Sequence, residues 1–208
     1  MCNPIKRIGE TKIVPVLVVQ KTQQAVRTAE ALAKGGIDIL EVTLRTEAGL
    51  ASIAEVKKEF PNILIGAGSV LNLEMAKKAA EAGAEFIVMP GFFENIVEWC
   101  IETSLSIIPG CITPTEIGNA LRYGIDILKF FPANIFGGIN AIKALAGPFP
   151  SVRFIPTGGI DLTNLNEFTE HPSVYAVGGG WLCSPKLVME GNFQRITELA
   201  MESRRQIA

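Results

Sequence analysis

Short apolar runs alternate with longer amphipathic stretches from one end of this chain to the other. The short runs are rich in Val, Ile and Phe, and polar, Gly or Pro residues bound them. They read as strands near residues 13–19, 37–44, 63–67, 86–88, 106–109, 126–130, 153–156 and 174–177. Between them apolar residues recur at helical spacing near 22–34, 47–59, 72–82, 94–103, 114–121, 138–146, 163–168 and 192–205. Several of these stretches carry start signals: Thr22 before Ala25, Val26 and Ala29, Asn72 before Leu73-Glu74, and Thr113-Pro114 with Glu116 following. Gly35-Gly36, Gly83 and Gly124 supply stop signals, because glycine takes the left-handed turn that ends a helix.

Eight strand–helix units with no linker or low-complexity break fit a single (β/α)₈ TIM barrel over residues 1–208, at the short end of its usual range of roughly 200–400 residues. A doubly wound open sheet is the alternative. It normally has fewer strands at this length, and the first turn region, Val18-Val19-Gln20-Lys21, lacks the glycines of a dinucleotide-binding loop.

Composition narrows the chemistry. The chain has 208 residues, 48% of them hydrophobic, a formal net charge of -2 and a mean hydropathy of +0.31. It is too neutral for a nucleic-acid partner and too apolar for disorder. No run approaches the roughly 18–20 apolar residues of a membrane span. The opening Met-Cys-Asn-Pro-Ile-Lys-Arg leads into no apolar stretch of the signal-peptide kind, so a cytoplasmic location with no membrane partner is expected. Cys2, Cys100, Cys111 and Cys183 lack any C-x-x-C spacing, which argues against a zinc knuckle and for reduced, mostly buried thiols. With His171 the only histidine, Ser-His-Asp chemistry and multi-histidine metal sites are nearly excluded, and no carboxylate cluster demands a metal. His171 precedes Pro172 in a polar loop and reads as a surface residue; Trp99 and Trp181 read as packing.

The chemistry concentrates on two strands. In Ile127-Leu128-Lys129-Phe130-Phe131 a lone lysine interrupts a buried run. An ammonium costs several kcal/mol to bury unless it is paired or gives up its proton, and a neutral amine attacks carbonyl carbon. A lysine at a strand end that snorkels to water is the bland alternative. In Glu41-Val42-Thr43-Leu44-Arg45, strand alternation puts Glu41, Thr43 and Arg45 on one face, expected to be the lumen because the helix side must be apolar. These three can form a structural ion-pair network or a functional site at the carboxyl end of the strand. The same alternation aims Lys129 at Glu41 across a small barrel. Nucleophile, proton shuttle and carboxylate clamp together are what imine catalysis needs. Glycine clusters follow strands three, seven and eight: Gly66-Ala67-Gly68-Ser69, Thr157-Gly158-Gly159-Ile160 and Gly178-Gly179-Gly180-Trp181. The last two lie where barrels often bind phosphate through backbone N–H groups, since no Cβ intervenes.

These residues carry a resemblance. Gly36-Ile37-Asp38-Ile39-Leu40-Glu41-Val42-Thr43-Leu44-Arg45 resembles the E-V-T-L-R signature of the 2-keto-3-deoxy-6-phosphogluconate (KDPG) and 4-hydroxy-2-oxoglutarate aldolases of class I. Gly66 to Asn72, Ile108-Pro109-Gly110, Leu128-Lys129-Phe130-Phe131-Pro132-Ala133, Ala146-Gly147-Pro148-Phe149 and Pro156 to Ile160 are similar to the same family, so the likeness covers nearly the whole chain. The resemblance implies a Schiff-base role for Lys129, general acid/base work for Glu41, and carboxylate binding by Arg45 with Ser69 beside it, where relatives usually have threonine. It implies pocket walls at Pro90 and Phe131, and a phosphate cradle of Thr157, Gly158, Gly159, Gly179 and Gly180. Gly180 departs from the serine of the KDPG-specific members.

The resemblance further implies a phosphorylated 2-keto acid as substrate, no metal and no cofactor, and a homotrimer. The implied reaction is cleavage of KDPG to pyruvate and glyceraldehyde 3-phosphate, with 4-hydroxy-2-oxoglutarate as a second substrate. Two rival readings share the barrel. One is a phosphosugar isomerase or epimerase that uses Glu41 as base and Lys129 only as a cation; the other is a non-catalytic sugar-phosphate sensor. Neither requires a lysine buried among phenylalanines.

Overall fold

A computed structural model describes residues 3–207, and among them eight parallel strands alternate with helices. The chain opens with α1 (Pro4–Thr11), followed by β1 (Ile13–Leu17), α2 (Thr22–Lys34), β2 (Ile39–Thr43), α3 (Ala48–Glu59), β3 (Leu64–Gly68), α4 (Leu73–Glu81) and β4 (Phe86–Val88). Next come α5 (Glu94–Glu102), β5 (Ser106–Ile108), α6 (Pro114–Arg122), β6 (Ile127–Phe130), α7 (Gly138–Ala146), β7 (Arg153–Pro156), α8 (Leu165–Thr169), β8 (Val177–Gly179), α9 (Pro185–Met189) and α10 (Phe193–Gln206). Six strands hydrogen-bond in the order β5-β4-β3-β2-β1-β8, and β6 pairs with β7. Single bridges close the two remaining seams: Gly110 to Lys129, Phe154 to Val174 and Thr157 to Gly178. The result is a (β/α)₈ barrel.

Most strands are apolar on both faces at their beginning, because one face meets helices and the other a filled lumen; β5 and β7 instead open on Ser106 and Arg153. Leu40, Val42, Ile65, Ala67, Ile87, Leu128 and Phe154 face outward into a layer with Ala25, Ala29, Leu32, Ile53 and Val56 of α2 and α3. Inside, Val14, Ile39, Leu64, Phe86, Ile108, Ile127, Ile155 and Ala176 form a second cluster at the amino-terminal end, and Ile8 of α1 packs into it. That end of the barrel is plugged.

The periodicity misses two helices. α1 is a single short stretch in which Asn3 accepts from the N–H groups of Ile5 and Lys6 and Pro4 occupies the first turn; α9 has the same pattern in Ser184-Pro185. Both carry the cap-then-proline signature, but each is too short to show helical spacing. The last strand also differs from expectation. It covers Val177–Gly179 rather than 174–177, with Ile13, Val14 and Pro15 of β1 paired to Val177, Gly178 and Gly179. Glycine is poorly suited to strands, so composition alone pushes the strand toward the valines. Of the four cysteines, Cys2 lies outside the described residues, while Cys100, Cys111 and Cys183 are free and buried.

Candidate active site

Two residues beyond the apolar floor, the lumen changes character. Along each strand a side chain two positions on points the same way. Val14 is followed by Val16, Ile39 by Glu41, Leu64 by Gly66, Ile108 by Gly110, Ile127 by Lys129, Ile155 by Thr157 and Ala176 by Gly178. Registration places Glu41 beside Gly66 and Val16, and Lys129 beside Gly110 and Ile155. On these seven strands the upper rung holds Glu41, Lys129 and Thr157 with Val16 and three glycines, where the rung below is apolar throughout.

Lys129 and Glu41 meet on that rung. Lys129 Nζ donates to Glu41 Oε1 at 3.2 Å, and the two side chains are only 7% and 4% exposed. The Phe131 ring lies under the ammonium, with its centroid 5.5 Å from Nζ. The strand that carries Lys129 is tied down by its own backbone: its N–H donates to the Pro109 carbonyl at 2.8 Å and its carbonyl accepts from Cys111 at 3.0 Å. Space for the carboxylate comes from Gly68, where a Cβ would lie 2.0 Å from Glu41 Oε1. Burying such a pair costs more than packing apolar residues of the same volume. The arrangement thus makes sense as chemistry rather than as filling.

Thr43 shares this lumen face but turns to structure: its buried hydroxyl donates to the Leu17 carbonyl at 3.0 Å and bonds β2 to β1. Cys183 is the other nucleophile nearby. Its buried Sγ donates to the Val16 carbonyl, and burial, seconded by the charge of Glu41, pushes its pKa up to about 12. At neutral pH it stays a thiol. Cys111 is likewise pushed up to about 12, by burial first and Glu116 second. Among the described residues, no three His, Cys, Asp or Glu side chains gather where a cation could be shared.

Above the pair opens a cavity of about 300 Å³ whose wall includes Val16, Val18, Arg45, Lys129, Phe131 and Thr157. Arg45 corrects a sequence expectation. β2 ends at Thr43, so alternation no longer governs residue 45, and the arginine stands exposed at the mouth instead of in the lumen. It still reaches the site, with Nε donating to Ser69 Oγ at 2.8 Å. Ser69 presents that hydroxyl from a left-handed backbone with φ +57°. Pro90 lies one step back from the wall, its carbonyl closed against Gly110.

The rim opposite Arg45 is backbone. Thr157, Gly158, Gly159 and Ile160 line it, and both glycines are left-handed, with φ +97° and +76°. The first three carbonyls of this turn are held by the scaffold. The Thr157 and Gly158 carbonyls accept from Ala133 and Asn134 N–H at 2.8 and 3.1 Å. The Gly159 carbonyl accepts from Asn164 Nδ2 at 2.9 Å. In a trans peptide the following N–H points the opposite way. The N–H groups of Gly158, Gly159 and Ile160 have no protein acceptor among the described residues and are free donors on the cavity rim, a nest of the kind that can hold an anion.

β8 contributes Gly178 to the same wall, and Gly180 and Trp181 follow from the segment just after the strand. A Cβ at Gly178 would lie 2.0 Å from Thr157 Oγ1, so this glycine makes room for the threonine. A Cβ on Gly179 would point the other way, toward Leu182 and Ile13. Trp181 packs against the core beside it, as does Trp99 on α5. His171 accepts from Ser173 N–H in a loop away from the cavity. Sequence reasoning noted Gly178 in its glycine cluster and Cys183 as a buried thiol but assigned neither to the site, and it passed over Asn164; period two counted from Ala176 would have placed Gly178.

Comparison with known proteins completes the description. Residues 5–199 match the family model for KDPG and KHG aldolases. The 2-dehydro-3-deoxy-phosphogluconate aldolase of Treponema pallidum (strain Nichols) is 41% identical over 203 residues, 98% of this chain and 97% of the relative. The KHG/KDPG aldolase of Escherichia coli (strain K12) is 43% identical over 191 residues, 92% of this chain and 90% of the relative. Among solved structures, a KDPG aldolase from Legionella pneumophila, with pyruvate captured as a covalent carbinolamine intermediate, superposes with a TM-score of 0.92. That structure is 36% identical, and the match covers 96% of this chain and 97% of the other.

Proposed function

The chain belongs to the KDPG and KHG aldolase family, and from that premise we propose how its own residues run the reaction. It is an aldehyde-lyase that cleaves 2-dehydro-3-deoxy-6-phosphogluconate to pyruvate and glyceraldehyde 3-phosphate through a Schiff base. The observation that carries the residue roles is the buried pair of Lys129 and Glu41, 3.2 Å apart, with Lys129 lining the cavity.

Lys129 is the nucleophile. Glu41 takes a proton from its ammonium, and the freed amine adds to the C2 ketone to give a carbinolamine. Glu41 returns that proton to the departing hydroxyl, and loss of water leaves an iminium, which draws the electron pair as C3–C4 breaks. Glu41 accepts the proton of the C4 hydroxyl as glyceraldehyde 3-phosphate departs. The remaining enamine is protonated at C3, and hydrolysis of the imine releases pyruvate and restores the lysine. Arg45, steadied by Ser69, binds the substrate carboxylate with its remaining N–H groups. Phe131 walls the pyruvyl end, Pro90 backs the wall from behind, and Gly158, Gly159 and Gly180 hold the phosphate. The same steps on 4-hydroxy-2-oxoglutarate give pyruvate and glyoxylate. An isomerase or a sensor would have no use for a lysine held against both a carboxylate and a phenyl ring.

Incubation with pyruvate and borohydride tests the assignment: it should alkylate Lys129 alone, and Lys129→Ala should abolish both the adduct and turnover. An adduct mapped to another lysine, or none, would remove Lys129 from its role. The reading extends to a homotrimer in the cytoplasm. Ile135, 81% exposed, and the exposed Phe136 and Leu71 offer apolar surface for self-association, and three buried free thiols suit a reducing compartment. A solution mass other than three chains would overturn the trimer.

A further inference from the structure

Asn164 occupies the N-cap position of α8, where asparagine ordinarily accepts from the N–H groups of its own helix. Here it makes no cap hydrogen bond at all. Its side chain turns back over the preceding loop instead. Nδ2 donates to the Gly159 carbonyl at 2.9 Å, and Oδ1 accepts from Asp161 N–H at 2.9 Å. Asp161 is itself fixed, since its Oδ1 accepts from both the N–H and the hydroxyl of Thr163. The half-exposed asparagine therefore bridges the two sides of residue 160.

That bridge bears on the nest. Of the three carbonyls that must point away for the N–H groups to face the cavity, two are held by backbone donors, Ala133 and Asn134. Only the third, Gly159, is held by a side chain. Gly159 is left-handed at φ +76°, in a region where glycine moves freely, so the 159–160 peptide would flip easily without its anchor. We propose that Asn164 is a positioning residue for the phosphate arm of the substrate: by pinning the Gly159 carbonyl it keeps the Ile160 N–H aimed at the anion. It touches no reacting atom. The inference rests on the reading that this loop receives the phosphate.

Steady-state kinetics on KDPG and on unphosphorylated 4-hydroxy-2-oxoglutarate tests it with two variants. Asn164→Ala removes the bridge. Asn164→Ser keeps a good helix cap but cannot span to Gly159. Both should raise KM for KDPG about tenfold, the loss expected when one charge-assisted hydrogen bond to an anion becomes disordered. kcat on KDPG, and both constants on 4-hydroxy-2-oxoglutarate, should stay within about twofold, because binding energy shared by ground and transition states appears in KM alone. If Asn164→Ser restores the KM for KDPG, the residue is only a helix cap and the inference fails. Equal losses on both substrates would make its role structural and also overturn it. Gly158→Ala separates this inference from the reading beneath it. If that variant spares KDPG, the phosphate does not lie at this loop and both fall. If it weakens KDPG selectively while the Asn164 variants do not, the loop reading survives and Asn164 alone is dismissed.

Discussion

The two ends of this barrel are built from the same strands, yet they obey opposite rules. At the amino-terminal end the lumen holds Val14, Ile39, Leu64, Phe86, Ile108, Ile127 and Ile155, sealed beneath by Ile8 of α1. One rung higher stand Glu41, Lys129 and Thr157 among Gly66, Gly110 and Gly178. The lower rung buries apolar area and contributes stability, roughly 1.5–3 kcal/mol for each large side chain. The upper rung spends it, with a desolvated ion pair and with glycines that bury little. Stability and chemistry are thus separated by a step of two residues, and substitutions at the two levels should fail in different ways.

The largest effect in the upper rung short of removing the lysine should come from Glu41→Gln. The amide keeps the shape that Gly68 accommodates but cannot take a proton. Turnover should fall roughly 10²–10⁴-fold, while the imine with pyruvate still forms slowly and the melting temperature holds or rises. Near wild-type turnover would pass the proton-transfer role to another group and erase the distinction between the rungs at this position.

Ile8→Ala strikes the lower rung. Ile8 is fully buried beneath the barrel, so truncation opens a cavity and should cost about 2–5 kcal/mol of unfolding free energy. Denaturant unfolding reads that loss. kcat/KM at a temperature where the variant remains folded should change less than threefold, since Lys129 and Glu41 are anchored by strand pairing rather than by the plug. A drop in kcat/KM that matched the loss of stability would show that the floor positions the site as well as supporting it.

How much of this was legible beforehand follows from the physics of each part. Strand and helix order was, because alternating apolar runs and amphipathic stretches are local and strong; α2, α7, β4 and β7 run over the residues that the pattern indicates. The facing of Glu41 and Lys129 was also legible, since period two holds inside a strand. It failed where a strand stopped, at Arg45, and the last strand was misplaced because it runs on into glycines, Val177–Gly179. Asn164 was invisible, because a cap residue that deserts its helix has the same sequence signature as one that does not.

The smallest expected effect belongs to Gly180, and it sharpens the upper rung instead of breaking it. A serine hydroxyl there would add a charge-assisted hydrogen bond to a phosphate, worth about 1.5–3 kcal/mol at best, or roughly ten- to a hundredfold in affinity. The backbone permits it. Gly180 is not among the left-handed glycines, and a Cβ built there meets nothing within 4 Å. That openness contrasts with Gly68 and Gly178, where any side chain would strike Glu41 or Thr157. Gly180→Ser should therefore fold normally and raise kcat/KM for KDPG toward the lower end of that range, since a water can already stand where the hydroxyl would be. Cleavage of 4-hydroxy-2-oxoglutarate, which has no phosphate, should not change. Improvement on both substrates would place the hydroxyl near the carboxylate or the aldehyde carbon, and improvement on neither would place Gly180 outside the anion's reach.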